Sequence, residues 1–468
     1  MTVTEINARN QNIPEELNNS LEKILLYADL PQERSEIFKK HMDIFRNLKD
    51  KSFMDSDSRR VREVITSVFF ELYPAVLKKA VREDNQSPLL KMFLAFCFVD
   101  EKLLKPEEIS QLYSLLDQPC TNPDCSIFSL KDWMEMVYNR EKEPSVNEFE
   151  QDYYDVFRDK KKRGELSEND KLEYENNADG RLEHEVNNLF KLGQRLCYGQ
   201  MGGYFPVLHS GMIARDLIKS VVTPQMIQES INKILAVDFS VFHREIVIND
   251  QDRGMRQELV MKSVFPEFIV VPTFGARSVM WQEIAGRVRS NPGRVLIPIF
   301  TTQSLDELMV DMVAKFRWEL SKTMNSYSRG DGPPNSLCAE YIDYIQFYKK
   351  NRDLSEDARE KVKRQIDRHR NNPKDIFVDD YATWINFESK GMIRLNKVAR
   401  EILFKYCPFS KPLRSILEKQ PLFNPLVTRY DNMQARQLKN LEARYAKLVK
   451  PGEEMASELA EHIEYYRS

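Results

Sequence analysis

The amino-acid sequence predicts a mainly α-helical protein in which a small parallel α/β element is embedded in a helical C-terminal domain. Three observations lead to this fold class. Only 15 glycines stand against 26 phenylalanines and 19 tyrosines, so turn-forming residues are scarce and large packing residues are common. Apolar residues recur at helical spacing through most of the chain. Two short apolar runs, 268–271 and 294–300, interrupt this pattern and are typical of buried strands.

The first 140 residues predict consecutive short helices. Leu21 and Leu25 mark one of them by their spacing, and Val61 and Ile65 mark another. Pro74 is expected to kink or end the latter helix, because proline lacks a backbone N–H and its ring clashes with the preceding turn. Further helical runs are expected at 89–99, 106–116 and 130–138.

The chain is predicted to divide into four segments in order. An N-terminal helical domain (1–140) is followed by a charged linker or protruding helix (141–180). A helical domain with a small central sheet (181–450) comes next, and a C-terminal helical tail (451–468) completes the chain. The second segment contains the run Lys160–Arg163, but interleaved acids make a solvated face the expected role of that run.

The two apolar runs predict a strand–loop–helix pattern that occurs twice. Phe268–Val271 is expected to be a strand, residues 272–277 a loop and residues 278–288 a helix. Arg294–Phe300 is expected to be the second strand, followed by a loop and a helix from Leu305. Strands joined through a helix normally lie parallel, so both loops are expected at one edge of the sheet. Residues 241–248 predict a further strand that extends this sheet.

The helix from Leu305 is the best specified of the expected elements. Ser304 and Glu307 have the spacing of a capping box, in which each side chain bonds a backbone N–H of the first turn. Eight apolar residues then fall on one helical face, which predicts a core-packing helix. They are Leu305, Leu308, Met309, Met312, Val313, Phe316, Leu320 and Met324.

Ligands of open α/β sheets bind beyond the carboxyl ends of the strands, so the two loops are candidates for an anion site. The first turn of a helix presents unpaired N–H groups, Gly275 permits close approach of a ligand to the backbone, and Arg277 supplies a bidentate donor. A structural role, with Arg277 paired to a carboxylate such as Glu283, is the alternative. The candidate ligand-binding residues are Gly275, Ala276, Arg277, Ser278, Thr301 and Thr302.

A partner surface is predicted on two helices of the C-terminal domain. The helix at 355–370 has almost no apolar anchors besides Val362 and Ile366, so it is expected to be exposed. The charge order of that helix also satisfies its macrodipole without any partner, and a solvated basic face is the alternative reading of both helices. The candidate residues are Lys361, Arg364, Arg368, Arg394 and Lys397.

Four segments resemble a module of uncharacterised bacterial proteins, of the kind found in spirochaetes and clostridia. They are 316–320, 340–348, 379–385 and 394–400, and the likeness covers about residues 260–420. Some members of that group carry a cyclic-nucleotide-binding domain elsewhere in their chains. This sequence lacks the Gly-Glu and Arg-Ala pair of such a domain, so the resemblance implies a bacterial origin and no catalytic residues.

The sequence argues against several other functions. The only close cysteine pair, Cys120 and Cys125, has no second pair, so no metal site is expected, and no cofactor motif is found. A net charge of −3 argues against a global nucleic-acid footprint but leaves a local patch open. The N-terminus lacks a signal peptide, no apolar run is long enough for a membrane span, and the six cysteines are scattered. A cytoplasmic location is therefore expected.

Two functional hypotheses follow. In the first, an uncharacterised bacterial protein acts as a regulatory or adaptor protein by binding a protein partner or a ligand. In the alternative, an enzyme or sensor binds a phosphorylated or carboxylated small molecule at the loops 272–278 and 300–304. No catalytic residue is assigned in either hypothesis.

Overall fold

A computed structural model describes residues 13, 15–97, 99–116, 126–146, 153–165, 177–197, 207–213, 220–250, 255–275, 279–282, 293–301, 303–322, 336–447 and 454–468. The chain forms two compact units. The first comprises Met1–Gln228, Glu267–Gln282 and Arg294–Leu305, and the second comprises Glu229–Pro266, Glu283–Gly293 and Asp306–Ser468. The predicted segment boundaries at 140, 180 and 450 do not coincide with the limits of these units.

The fold is mainly α-helical with a small parallel element, as the sequence predicts. The described helices up to residue 237 are α1 (Ser20–Ala28), α2 (Gln32–Asn47), α3 (Ser56–Arg82), α4 (Pro88–Phe96), α5 (Pro106–Ser114), α6 (Leu130–Tyr138), α7 (Tyr153–Lys162), α8 (Ala178–Cys197), α9 (Ser210–Ile213) and α10 (Pro224–Val237). The later helices are α11 (Leu305–Lys322), α12 (Leu337–Gln346), α13 (Glu356–Arg368), α14 (Pro373–Asn386), α15 (Lys397–Tyr406), α16 (Lys411–Leu417), α17 (Asn424–Tyr445) and α18 (Ser457–Arg467).

Two sheets are present among the described residues. The strands are β1 (Ile127–Ser129), β2 (His243–Asp250), β3 (Met255–Ser263), β4 (Glu267–Gly275), β5 (Val279–Gln282) and β6 (Arg294–Thr301). The larger sheet has the order β1-β4-β6-β5, and β1, β4 and β6 are parallel. The prediction that the two apolar runs form parallel strands is therefore confirmed.

Three details of the predicted α/β element are wrong. Residues 272–275 were expected in a loop but continue β4. Residues 279–282 were expected in a helix but form β5, which pairs antiparallel with β6. The strand expected at 241–248 exists as β2, but it pairs with β3 in a separate antiparallel hairpin. In each case pairing to a neighbouring strand, which no local pattern encodes, decides the conformation.

The larger sheet lies in the first unit and carries a core on each face. Side chains alternate across a strand. Ile269 and Val271 of β4 accordingly join one hydrophobic cluster with residues of α1 to α4, α6 and α8. Val270 and Phe274 point the other way and join a second cluster with residues of α4 and α5.

Pro74 does not end the helix in which it lies. Instead of ending there, α3 continues through Pro74 to Arg82. Leu72 and Tyr73 before the proline and Val76 and Leu77 after it are all buried. Burial on both sides holds the two halves in one helix despite the missing N–H.

The second unit is built around aromatic packing. Trp384 of α14 stacks on Phe409, with ring centroids 3.9 Å apart, and its Nε1 donates to the Cys407 carbonyl oxygen at 2.9 Å. Helix α11 begins at Leu305 as predicted, and the seven apolar residues of its predicted core face from Leu305 to Leu320 are all buried. The eighth, Met324, lies outside the described residues.

Candidate functional site

A cavity of about 370 Å³ lies over one face of the larger sheet in the first unit. Its floor is formed by Ile127 of β1, Val270 of β4 and Ile299 of β6, which belong to three neighbouring parallel strands. This volume falls in the range of about 300 to 1,000 Å³ that is typical of small-molecule sites.

The partial exposure of Val270 is the clearest sign of the cavity. β4 is an interior strand with β1 on one side and β6 on the other, and its other residues are all buried. Val270 is only half-buried, as is Ile127 of β1. An apolar side chain on an interior strand is normally covered by packing, so its partial exposure marks an accessible cavity.

One wall of the cavity is α4, and the opposite wall is a short segment before α10. Helix α4 contributes Lys91 and residues 94–96. The segment Val221–Pro224 is fixed to β6, because Val221 forms an antiparallel bridge with Phe300 and the Val222 N–H donates to the Ile299 carbonyl at 2.8 Å. Both walls therefore rest on regular structure.

Two helices begin at the cavity. Helix α6 follows β1 directly, and Ser129 Oγ accepts a hydrogen bond from the Asp132 N–H at 3.1 Å. Helix α10 begins after Thr223, whose Oγ1 accepts from the Met226 N–H at 3.3 Å. Each serine or threonine satisfies one N–H group of the first turn and leaves the partial positive charge of the helix start beside the cavity.

The charged residues of the cavity differ in their pairing. Lys131 is buried and pairs with Glu135 on the same helix. Asp132 is exposed at the rim. Lys91 is half-buried, and no carboxylate among the described residues forms an ion pair with it. Lys91 is therefore the cation of this site that is available to a ligand.

The arrangement suits a small molecule with an apolar body and an acidic group. The valine, isoleucine, leucine and phenylalanine side chains would cover the apolar body, and its burial contributes about 25 cal/mol per Å². The acidic group would pair with the Lys91 ammonium in a charge-assisted hydrogen bond.

The residues of the predicted anion site are only partly described. Gly275 and Thr301 are paired in register at the carboxyl ends of β4 and β6, so these two positions do lie together. Both are buried, and neither lines the cavity. Ala276, Arg277, Ser278 and Thr302 lie outside the described residues, so the anion site remains a prediction.

The predicted partner surface lies in the second unit. Val362 is the only buried residue of α13, while Lys361, Arg364 and Arg368 are exposed. Arg368 pairs with Asp379 at 3.3 Å and Arg364 approaches Glu360 at 3.8 Å.

The other two residues of that surface also have neighbours within the unit. Lys397 pairs with Asp353 at 2.8 Å. The Arg394 guanidinium lies 5.5 Å from the centre of the Phe387 ring. Among the described residues, no carboxylate forms an ion pair with Lys361.

A second polar cluster lies at the amino ends of β4 and β6. Arg294 donates to Glu267 and to Ser145 Oγ, each at 2.8 Å, and Lys142 donates to Glu267 at 2.6 Å. Glu185 accepts from Ser145 and from the Trp133 indole. Because these buried charges are satisfied within the protein, the cluster is structural.

The second unit contains a comparable buried cluster. Tyr381 donates to Asp238 at 2.9 Å, and Arg317 donates to the carbonyl oxygens of His243 and Tyr406 at 2.6 Å. Desolvation, followed by the Arg317 charge, lowers the pKa of His243 to about 4. These groups are buried, and the hydrogen bonds of Arg317 connect the end of α15 to the start of β2.

Neither a metal centre nor a membrane span is found in the described part of the chain. Histidine, cysteine and acidic side chains do not converge there in groups of three or more. Of the helices that the structure describes, none combines the length and apolarity needed to cross a bilayer.

Sequence reasoning missed the cavity for an identifiable reason. Its lining comes from segments that are far apart in the chain, and β1 has only three residues. The one local signal is the serine or threonine before each helix start, Ser129 and Thr223, which marks an N-cap but not a site.

Comparison with known proteins gives a match to a family model. A family model described as "Domain of unknown function (DUF8509)" matches residues 326–465, which lie within the second unit. No curated protein matches the chain, and no solved structure does. The chain is thus similar over its C-terminal part to a family whose function is not known, and the cavity lies outside the matched residues.

Proposed function

We propose that this protein binds a small organic acid in the cavity of the first unit. The observation that carries the proposal is the partial exposure of Val270 on an interior strand, at the floor of a cavity of about 370 Å³. The ligand has an apolar body that packs on Val270 and Ile299 and a carboxylate or phosphate that pairs with Lys91. The proposal corresponds to a regulatory protein that acts by binding a ligand. The proposed site lies on the face of the sheet and not at the two loops 272–278 and 300–304.

The cellular setting is part of the same proposal. A bacterial origin is what the resemblance of the C-terminal segments implies. A cytoplasmic location is supported by the scattered cysteines of the sequence, of which Cys97, Cys338 and Cys407 are buried. A regulatory role requires that the bound acid change what the protein does. The shape and lining of the cavity support the binding of the acid.

The proposal is tested by a thermal-shift screen of amphipathic carboxylates and phosphates on the full chain. An acid that binds raises the melting temperature, because a ligand that binds only the folded state stabilises it by mass action. Lys91→Ala should weaken binding of such an acid about 10-fold, in line with about 1.5 kcal/mol for a hydrogen bond to a charged group. Lys363→Ala, at an exposed lysine of the second unit, is the matched control and should change nothing.

A variant that fills the cavity separates this site from any other. Val270→Trp should abolish binding and leave the fold intact, because the cavity accommodates the larger side chain. Val64→Trp, at a half-buried valine of α3 outside the cavity, should bind normally. Binding that persists in folded Val270→Trp would show that the cavity is not the site.

A further inference from the structure

The outward face of α17 in the second unit carries positive charge along its length. The helix has 22 residues and is therefore about 33 Å long. Its buried residues, Val427, Tyr430, Gln434 and Tyr445, fall on one side. Arg429, Arg436 and Lys439 are exposed on the other side, and Lys447 follows just beyond the helix end.

The acids of α17 lie away from Arg429 and Arg436. Asp431 pairs with Arg414 at 2.8 Å, and Glu442 pairs with Arg467 at 2.9 Å. Both acids are therefore directed toward neighbouring elements of the unit. At 100° per residue, Arg429 and Arg436 lie within about 20° of one another and more than about 100° from Asp431 and Glu442, whereas Lys439 lies about 60° from Glu442.

The remaining residues of the face are polar or small. Asn432, Gln437 and Asn440 carry side-chain amides, Ala443 is small, and Met433, at 44% exposure, is the one large apolar residue. Protein–protein interfaces normally have a buried core of aromatic and large apolar residues, which this face lacks. Its binding free energy must therefore come from charge and hydrogen bonds.

A phosphate backbone supplies both. Arginine, lysine, asparagine and glutamine are the side chains that contact phosphate and sugar oxygens, and an α-helix fits the major groove of a duplex. Single-stranded nucleic acids are bound with the help of aromatic side chains on which the bases stack. The outward face of α17 has no aromatic residue, so a duplex is the better match.

We infer that the outward face of α17 is a docking surface for the backbone of a nucleic-acid duplex. The overall charge of −3 is compatible with this role, because contact depends on the local charge of one face. The surface holds the duplex through Arg429, Arg436, Lys439 and Lys447. It reads no base sequence, because backbone contacts carry no sequence information directly.

The test is fluorescence anisotropy of the full chain with a short labelled duplex DNA and with a duplex RNA of the same sequence. Four phosphate contacts predict a slope of about −3.6 in a plot of log K against log salt concentration. Affinity should thus fall about 100-fold between about 50 and about 200 mM salt. The triple variant Arg429→Ala, Arg436→Ala, Lys439→Ala should reduce the slope to about −1, because one phosphate contact remains. It should also lower the affinity about 100-fold.

The matched control removes the same charge from α13, by Lys361→Ala, Lys363→Ala and Arg364→Ala, and should bind the duplex like the unmodified protein. Circular dichroism confirms that both variants fold. The inference is overturned if the unmodified chain binds no duplex. It is also overturned if the α17 variant binds the duplex like the unmodified protein, whether or not the α13 variant loses binding.

Discussion

At the scale of single residues, the carboxyl of Asp380 in the second unit is buried among aromatic side chains. Tyr341 donates its hydroxyl to this carboxyl, and Gln365 Nε2 donates to it at 2.8 Å. Burial in the aromatic cluster outweighs these two hydrogen bonds and raises the pKa of Asp380 to about 6. The folded protein therefore holds a proton that an unfolded chain releases near pH 4.

Asp380→Asn should change the pH dependence of stability. Between pH of about 4 and about 6 the folded state binds more protons than the unfolded state, so the free energy of unfolding falls as the pH rises. A shift of this size corresponds to about 3 kcal/mol across the interval. Asparagine removes the titration, so urea denaturation at a series of pH values should show a flatter profile for Asp380→Asn. Parallel profiles for the two proteins would contradict the assignment.

At the scale of elements, the local pattern of the sequence identifies some strands and not others. β4 and β6 are continuous apolar runs, and the helix from Leu305 has a cap and a full apolar face, so all three could be predicted. β1 has three residues and β5 has four. Both form strands because β1 pairs with β4 and β5 pairs with β6. Such pairing is a tertiary effect that no local periodicity contains.

The ion pair at the amino ends of β4 and β6 ties these two strands to the helical layer. Arg294→Met should lower the free energy of unfolding by about 3 kcal/mol, because it leaves the buried Glu267 carboxylate with only its Lys142 partner. The double variant Glu267→Gln, Arg294→Met should recover part of this loss, since no buried charge is then uncompensated. Urea denaturation measures both, and a loss below about 1 kcal/mol in the single variant would show that the pair is dispensable.

At the scale of the whole molecule, each compact unit is assembled from separate stretches of chain. The first unit takes β4 and β6 from beyond residue 266, although its helices come from the first 228 residues. Ile269, Val271 and Leu296 of these strands lie in its hydrophobic cluster. The sequence suggests domains that follow one another along the chain, because a return of the chain to an earlier unit leaves no local signal.

This assembly predicts that residues 1–228 do not form the first unit alone. Without β4 and β6 the helices lose the sheet on which both hydrophobic clusters pack. The isolated fragment should show helical circular dichroism but poor dispersion in its NMR spectrum, whereas the full chain should show a dispersed spectrum. A fragment that unfolds cooperatively with native-like dispersion would contradict the composition of this unit.

The candidate site shows the same limit of prediction. Gly275 and Thr301 could be placed at neighbouring strand ends from the sequence, and the structure pairs them. Lys91, Val270 and Thr223 carry no local mark of a site, because a lysine on a helix and a valine in a strand are ordinary residues. Only their convergence around one cavity makes them candidates.

The most direct test of the small-molecule site is methyl NMR of the full chain titrated with an acid from the thermal-shift screen. The methyl signals of Val221, Val222, Val270 and Ile299, which line the cavity, should shift together on binding. The signals of Val362 and Val427, which are buried in the second unit, should stay unchanged. A ligand that binds and shifts the second set but not the first would show that the cavity does not bind the acid.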